Sequence, residues 1–357
     1  MPIFDQGYQH WSGTLSGHTW RWLAIARHGV RVSLREGKAG RSLRLVLLLS
    51  WLPALVLATL LCLWGLAERG SELFAFFTPM LNFLGASVLA DPRQYRVEVW
   101  TLGYSYFLDA ELIASMILVV MVGPDLISQD LRYNALPLYF SRPLRRIDYF
   151  AGKLGVIVAF LGMVIIVPSL IAYVLGLLFS LDITIVRDTF PILVASIVYG
   201  LVIAFSAGLL MLALSSLTRN SRYVPLMWFV LWIGSNAVAG ILEGAHQAHR
   251  SRQHFGMAPG VAIDEQLAAE REAAKSNWRP LVSYTANLSR IGRQLVGTDA
   301  AWERLSEVQS PDKQGQFLRD FAGPQYPWYW SAAVLAALAG LSACILNFRI
   351  KSLDRLK

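Results

Sequence analysis

The chain has 357 residues, 55% of them hydrophobic and only 16% charged, with a mean hydropathy of +0.45. A soluble domain carries about a quarter charged residues, so this composition excludes an ordinary soluble protein and points to the membrane. The formal charge of +8 does not suggest a nucleic-acid partner, because the basic residues gather at the ends of apolar runs, where they orient spans and meet anionic lipid.

Residues 1–42 read as a cytoplasmic segment. Within it, residues 19–35 place Trp22, Leu23, Ala26, Val30 and Leu34 on one helical face, with Arg21, Arg27, His28, Arg31 and Arg35 around the rest. That pattern predicts an amphipathic helix on the cytoplasmic membrane surface, or one that meets an acidic protein surface. Residues 43–242 read as five spans. The first, 43–67, is long enough to cross the bilayer, carries Pro53 as a kink site, and stands too far into the chain for a cleaved signal peptide. Residues 73–90 are also uncharged, but counting them as a span would place Arg142, Arg145 and Arg146 outside, against the positive-inside rule. They are expected to be extracytoplasmic and non-spanning, either re-entrant or lying on the surface. The second span, 102–123, holds Asp109 and Glu111 near its outer end. Acidic residues there raise a functional hypothesis, against the simpler reading that they reach the interface or pair with Arg93 or Arg96.

A polar, basic stretch follows, residues 124–153. Leu126, Ile127, Leu131 and Leu138 alternate at helical spacing with Asp125, Gln129, Asp130 and Arg132, and Ser141-Arg142-Pro143 then marks a stop. Arg142, Arg145, Arg146 and Lys153 place this loop in the cytosol. The third span is 154–181, bent at Pro168; a turn at 182–189 leads to the fourth, 190–217. Arg219 and Arg222 mark an inner turn, and 223–242 is the fifth span. Residues 243–325 are expected to form a helical extracytoplasmic cap, with helices at 264–276, 299–308 and 312–321. His246, His249 and His254 lie close together there, but no cysteine or acidic ligand completes a metal set, so none is expected. Residues 326–357 form the sixth span, opened by Tyr326, Trp328, Tyr329 and Trp330, and a basic cytoplasmic tail. Eighteen of the 32 Lys and Arg residues fall in cytoplasmic segments and four in the short outer loops, which supports six spans with both termini inside. Cys62 and Cys344 lie within spans and read as buried apolar side chains.

No G-x-x-x-x-G-K-[ST] sequence is present, so the chain lacks this cradle for nucleotide phosphates. No span contains a histidine for haem, and no H-E-x-x-H, G-x-S-x-G or G-x-G-x-x-G motif occurs.

Asp130, Ser141-Arg142-Pro143, Arg146, Tyr149 and Gly152-Lys153 resemble the cytoplasmic loop between the second and third spans of ABC-2 type transporter permeases. The likeness is close over residues 124–153 and elsewhere extends only to hydropathy and topology. It implies an all-α polytopic permease subunit, not itself an enzyme, in the cytoplasmic (inner) membrane of a prokaryote. In such proteins this loop holds a coupling helix that docks on a separate cytosolic ABC ATPase, which binds the ATP, so no cofactor is expected in this chain. A second permease, identical or related, is implied as partner, with membrane lipids around it and an extracytoplasmic protein as a further partner for the cap. Carried onto this chain, the resemblance makes Asp130, Arg132, Tyr139 and Arg142 candidate ATPase-coupling residues and Arg145, Arg146 and Lys153 interface or lipid anchors. The alternatives are a non-transporting scaffold or envelope assembly factor, and an integral-membrane enzyme acting in the outer cap. The substrate is not legible.

Overall fold

A computed structural model describes residues 20–35, 37–71, 79, 86–140, 144–180, 182–254, 272–308, 317 and 325–354. Among them there is no strand, and six helices are long and apolar enough to cross a membrane: Gly40–Glu68, Arg96–Arg132, Arg146–Phe179, Thr184–Leu217, Tyr223–His246 and Trp328–Arg349. This is the all-helical, six-span architecture expected from hydropathy.

The amphipathic helix α1, Arg21–Arg35, packs on the start of α8, Arg146–Phe179, the third span. Glycines permit the approach: a Cβ on Gly152 would lie 2.6 Å from Ile25 Cβ and 3.0 Å from the Trp22 carbonyl. The first span comprises α2, Gly37–Leu49, and α3, Leu52–Glu68, broken at Ser50-Trp51. Pro53 sits in the first turn of α3, where its missing N–H is tolerated, and this is the kink expected there. Of residues 73–90, only position 79 and the short α4, Ala86–Ala90, are described, so the non-spanning expectation lies mostly outside the described residues.

The second span, α5, runs Arg96–Val122 and so begins well before residue 102. Its first turn is polar yet buried because Arg96 is paired. The guanidinium meets Glu68 at 2.6 Å, both side chains only 4% exposed, with Asp182 at 3.6 Å and Asp188 at 3.5 Å. Arg96 therefore pairs with neither Asp109 nor Glu111. Asp109 accepts a hydrogen bond from Ser289, whereas Glu111 is fully buried, not at an interface. After α6, Asp125–Arg132, and α7, Leu136–Phe140, α8 passes through Pro168 without ending. The fourth span, α9, runs Thr184–Leu217, taking up most of the turn expected at 182–189. The fifth consists of α10, Tyr223–Phe229, a π-helical turn at Val230–Gly234, and α11, Ser235–His254, which continues past residue 242.

Within residues 243–325, a 3-10 turn, Arg279–Val282, leads to α12, Tyr284–Val296, and α13, Thr298–Glu307. The expected helix at 299–308 corresponds to α13; the helix α12 was not anticipated, and the segments at 264–276 and 312–321 lie mostly outside the described residues. These helices do not stand clear of the spans. The Tyr284 hydroxyl lies 3.0 Å from Ser206 Oγ, the carboxylate of Asp109 meets Ser289, and Thr298 donates to Ser105 at 3.0 Å. Ser206 sits roughly 33 Å along α9 from Thr184, at 1.5 Å per residue, so α12 starts deep among α5, α9 and the sixth span and climbs back toward the start of α5. The sixth span is α14, Trp328–Asp354. Cys344 is exposed on it and Cys62 partly buried, both as free thiols, so the expectation of burial fails at Cys344, which faces outward from the bundle.

Candidate functional site

The stretch between the second and third spans is built by three short decisions of the chain. Pro124 follows Gly123 and starts α6, whose apolar residues Leu126 and Ile127 are buried while Asp125, Gln129 and Arg132 remain exposed. No side chain of the loop itself caps this helix. Ser215, at the end of α9, supplies the missing partner. Its Oγ accepts from the amides of Ile127 at 3.1 Å and Ser128 at 3.0 Å, and donates to the Pro124 carbonyl at 2.8 Å. Two backbone amides at the start of the helix and the Pro124 carbonyl are thus met by one hydroxyl from another span.

The second decision is electrostatic. Asp130 turns inward, accepting from the Tyr149 hydroxyl at 2.7 Å and pairing with Lys153 at 2.7 Å. Tyr149 and Lys153 are one turn apart on α8 and so present a single face to α6. The ammonium also lies over the rings of Tyr149, at 5.5 Å, and Tyr139, at 5.9 Å, within cation–π range. Lys153 and Asp130 are 12% and 14% exposed, so the pair is largely desolvated. Burial, and then the Asp130 carboxylate beside it, push the Tyr139 hydroxyl above its ordinary pKa. One carboxylate thereby holds α6, α7 and α8 together.

The third is a turn that exposes what remains. Asn134 adopts φ +50°, a left-handed conformation that asparagine tolerates, and reverses the chain between α6 and α7. Just before it, Tyr133 is 71% exposed, with the Arg132 guanidinium 5.6 Å from its ring. Arg145, also exposed, is the residue before α8, its backbone N–H donating to Asp148 Oδ2 at 3.2 Å, and Arg146 is exposed in the first turn. Arg142 lies outside the described residues.

Of the residues singled out in the sequence, the fold brings Asp130, Tyr139 and Lys153 into one cluster and leaves Arg132 projecting apart from it. Tyr149 and Lys153 carried a legible signal in their four-residue spacing opposite an acidic residue. Tyr133 was passed over, although an aromatic beside an asparagine turn has little reason to be buried. Ser215 lies too far along the chain for any local pattern to join it to α6. Beside the cluster, a cavity of about 340 Å³ opens between α1, α2, α6 and α8, with His28, Ser42, Asp125 and Lys153 on its walls. Among the described residues, no group of three His, Cys, Asp or Glu could hold a metal ion.

A family model described as ABC-2 family transporter protein matches residues 24–322, a range that contains the whole of this site. No curated protein matches the sequence.

Proposed function

The chain belongs to the ABC-2 family of transporter proteins and is a multi-pass membrane permease of an ABC transporter, and from that premise we propose that α6–α7 is the seat of a separate cytosolic ATPase. The observation that carries this reading is the division of labour in the loop. Arg132 and Tyr133 project as an exposed cation–aromatic pair, while Asp130, Tyr149 and Lys153 bind the same short helix to a span. Exposed arginine and tyrosine at the tip of a rigid element suit a contact that carries binding energy.

In this reading the partner ATPase binds and hydrolyses ATP and its closure displaces the tip. The displacement passes through the Asp130–Lys153 pair into α8 and through Ser215 into α9. ATP must favour one arrangement of these helices over the other for any movement to result. Arg132 then contacts the ATPase, and Arg142 remains a candidate for doing so. Asp130, Tyr139 and Lys153 become positioning residues rather than contacts, with Arg145 and Arg146 facing the ATPase or anionic lipid. The loop end of the bundle faces the cytosol and α13, residues 298–307, the other side of a prokaryotic inner membrane. A second permease, identical or related, completes the pathway, and membrane lipids surround it.

The test is copurification of the ATPase with an Arg132→Ala/Tyr133→Ala variant at matched expression. Loss of ATPase with intact insertion supports the docking role. An Arg349→Ala variant, whose guanidinium donates to the Leu217 carbonyl at 2.6 Å, serves as the basic control. If both variants retain the ATPase equally, the tip is not its seat.

A further inference from the structure

Glu111 has no part in the coupling loop and is the most anomalous charge-bearing group in the bundle. It is fully buried, and among the described residues neither of its carboxyl oxygens has a hydrogen-bond partner. Ser115, one turn on, is likewise fully buried with its hydroxyl unpartnered. The position is central: along α5 it lies roughly 22 Å from Arg96 and 17 Å from Val122.

The face it occupies is set by its neighbours on the same helix. Tyr104 donates to the Ser169 carbonyl of α8 at 2.9 Å, and the Trp100 ring packs edge-on against Tyr173 of α8 at 5.6 Å. At 3.6 residues per turn, Glu111 is within about 20° of both, so it turns toward α8. Asp109 lies on the other side of α5, against Ser289. On α8 the titratable groups are Tyr173 toward one end and Asp148, Tyr149 and Lys153 at the other, with Lys153 paired to Asp130. On α3 they are Cys62 and Glu68, the latter paired with Arg96. On α9, Tyr199 packs against Gly292 of α12, and Arg187 and Asp188 stand at the start of the helix. α12 and α13 bring Tyr284, which meets Ser206; Arg290, Arg293 and Arg304, which bind Asp299 or Glu98; and Glu303 and Glu307. α2 brings Arg41 and Arg44 near its start. α6 contributes Asp125, Asp130 and Arg132 at the loop end, and α10 only Tyr223. None of them bonds Glu111.

A carboxylate in such a place has no counter-charge among the described residues. A water between Glu111 and Ser115 would satisfy hydrogen bonds but would not compensate the charge. A proton does. We propose that Glu111 is a proton-binding site, occupied while α5 and α8 are packed together and emptied to water when they part. On release the carboxyl O–H bond breaks, its electron pair stays on the carboxylate, and the proton passes to a water molecule entering the seam. Packing of α5 on α8 is then linked to pH, with proton uptake favouring the packed state. The parting of the seam as a step of transport rests on the reading given above; occupancy of the site in the packed state does not.

Infrared spectroscopy of the purified protein in lipid nanodiscs at neutral pH tests occupancy. The C=O stretch of a protonated carboxylic acid should be present, should vanish in Glu111→Gln, and should persist in Asp109→Asn. Identical spectra for the parent and Glu111→Gln would overturn the proposal, and Glu111→Met serves the same comparison if the glutamine variant does not insert. Linkage is read from Ser115→Cys in a Cys62→Ala/Cys344→Ala background, labelled with a water-soluble thiol reagent. The labelling rate with Glu111, divided by the rate with Gln at that position, should rise with pH, by about tenfold per unit at most for a single proton. A ratio flat across pH would refute the linkage. Loss of ATPase copurification in the tip variants leaves the infrared result unaffected, so failure of the docking reading and failure of this one are distinguishable.

Discussion

Replacing Asp130 with asparagine keeps the shape of the side chain but removes the charge that faces Lys153 and Tyr149. The lysine is then left 12% exposed with no counter-charge, over two aromatic rings that compensate it only in part. Breaking a fully buried pair by deleting one partner costs about 3–5 kcal/mol. Here both ends reach some water, so the expected loss is near the lower end, about 3 kcal/mol, or roughly a hundredfold in a local equilibrium. The loss should be local, because the apolar contacts of the spans do not depend on this pair. Hydrogen exchange of the backbone amides in α6 and α7 should therefore accelerate roughly a hundredfold in Asp130→Asn, while α5 and α9 keep their protection. The double variant Asp130→Asn/Lys153→Met should recover most of the protection, because it removes the stranded charge as well. If the single and double variants exchange alike, or if neither differs from the parent, the pair does not hold the loop to α8.

Ser215→Ala leaves the amides of Ile127 and Ser128 without their acceptor and should lower protection in the first turn of α6 by about 1–3 kcal/mol, measured by the same exchange. Arg96→Met strands Glu68, 4% exposed, and should lower the melting temperature sharply, whereas Arg96→Met with Glu68→Gln should restore much of it. Gly152→Val forces a side chain against Ile25 and the Trp22 carbonyl and should loosen α1 from α8, seen as faster proteolysis within residues 21–35, at a cost of about 1–3 kcal/mol. Arg132→Ala/Tyr133→Ala should leave the melting temperature within measurement scatter, since surface substitutions typically change stability by about 0.5 kcal/mol or less.

The spans were legible because a bilayer demands long uncharged runs, and each of the six expected runs lies on one of the six long apolar helices. Two of the departures share one cause, a polar group buried against a partner distant in sequence. Arg96 ends an apolar run when read locally, yet in the fold it opens a buried helix because Glu68 meets it. The same holds for α12. Its sequence, YTANLSRIGRQLV, is polar enough to read as solvent-facing, but its Tyr284, Ser289 and Arg290 are met by Ser206, Asp109 and the Tyr326 carbonyl. A hydropathy window sees the polar atoms and not the atoms that answer them.

The loop between the second and third spans shows the same limit on a smaller scale. Charge and the Ser-Arg-Pro stop locate the loop, but they do not say which of its charged residues face outward. Asp130 and Arg132 are two residues apart on α6, so about 200° separates them around the helix, and they cannot share a role. If the apolar residues Leu126 and Ile127 face the bundle, one of the two must turn in, and it is the one for which α8 supplies a tyrosine and a lysine. The inward residue can transmit a push but cannot receive it. The outward one, beside Tyr133, can receive it, and it reaches α8 only through the helix they share. Under the docking proposed above, that shared helix would pass a contact at the tip to two spans: α8 through Lys153, and α9 through Ser215.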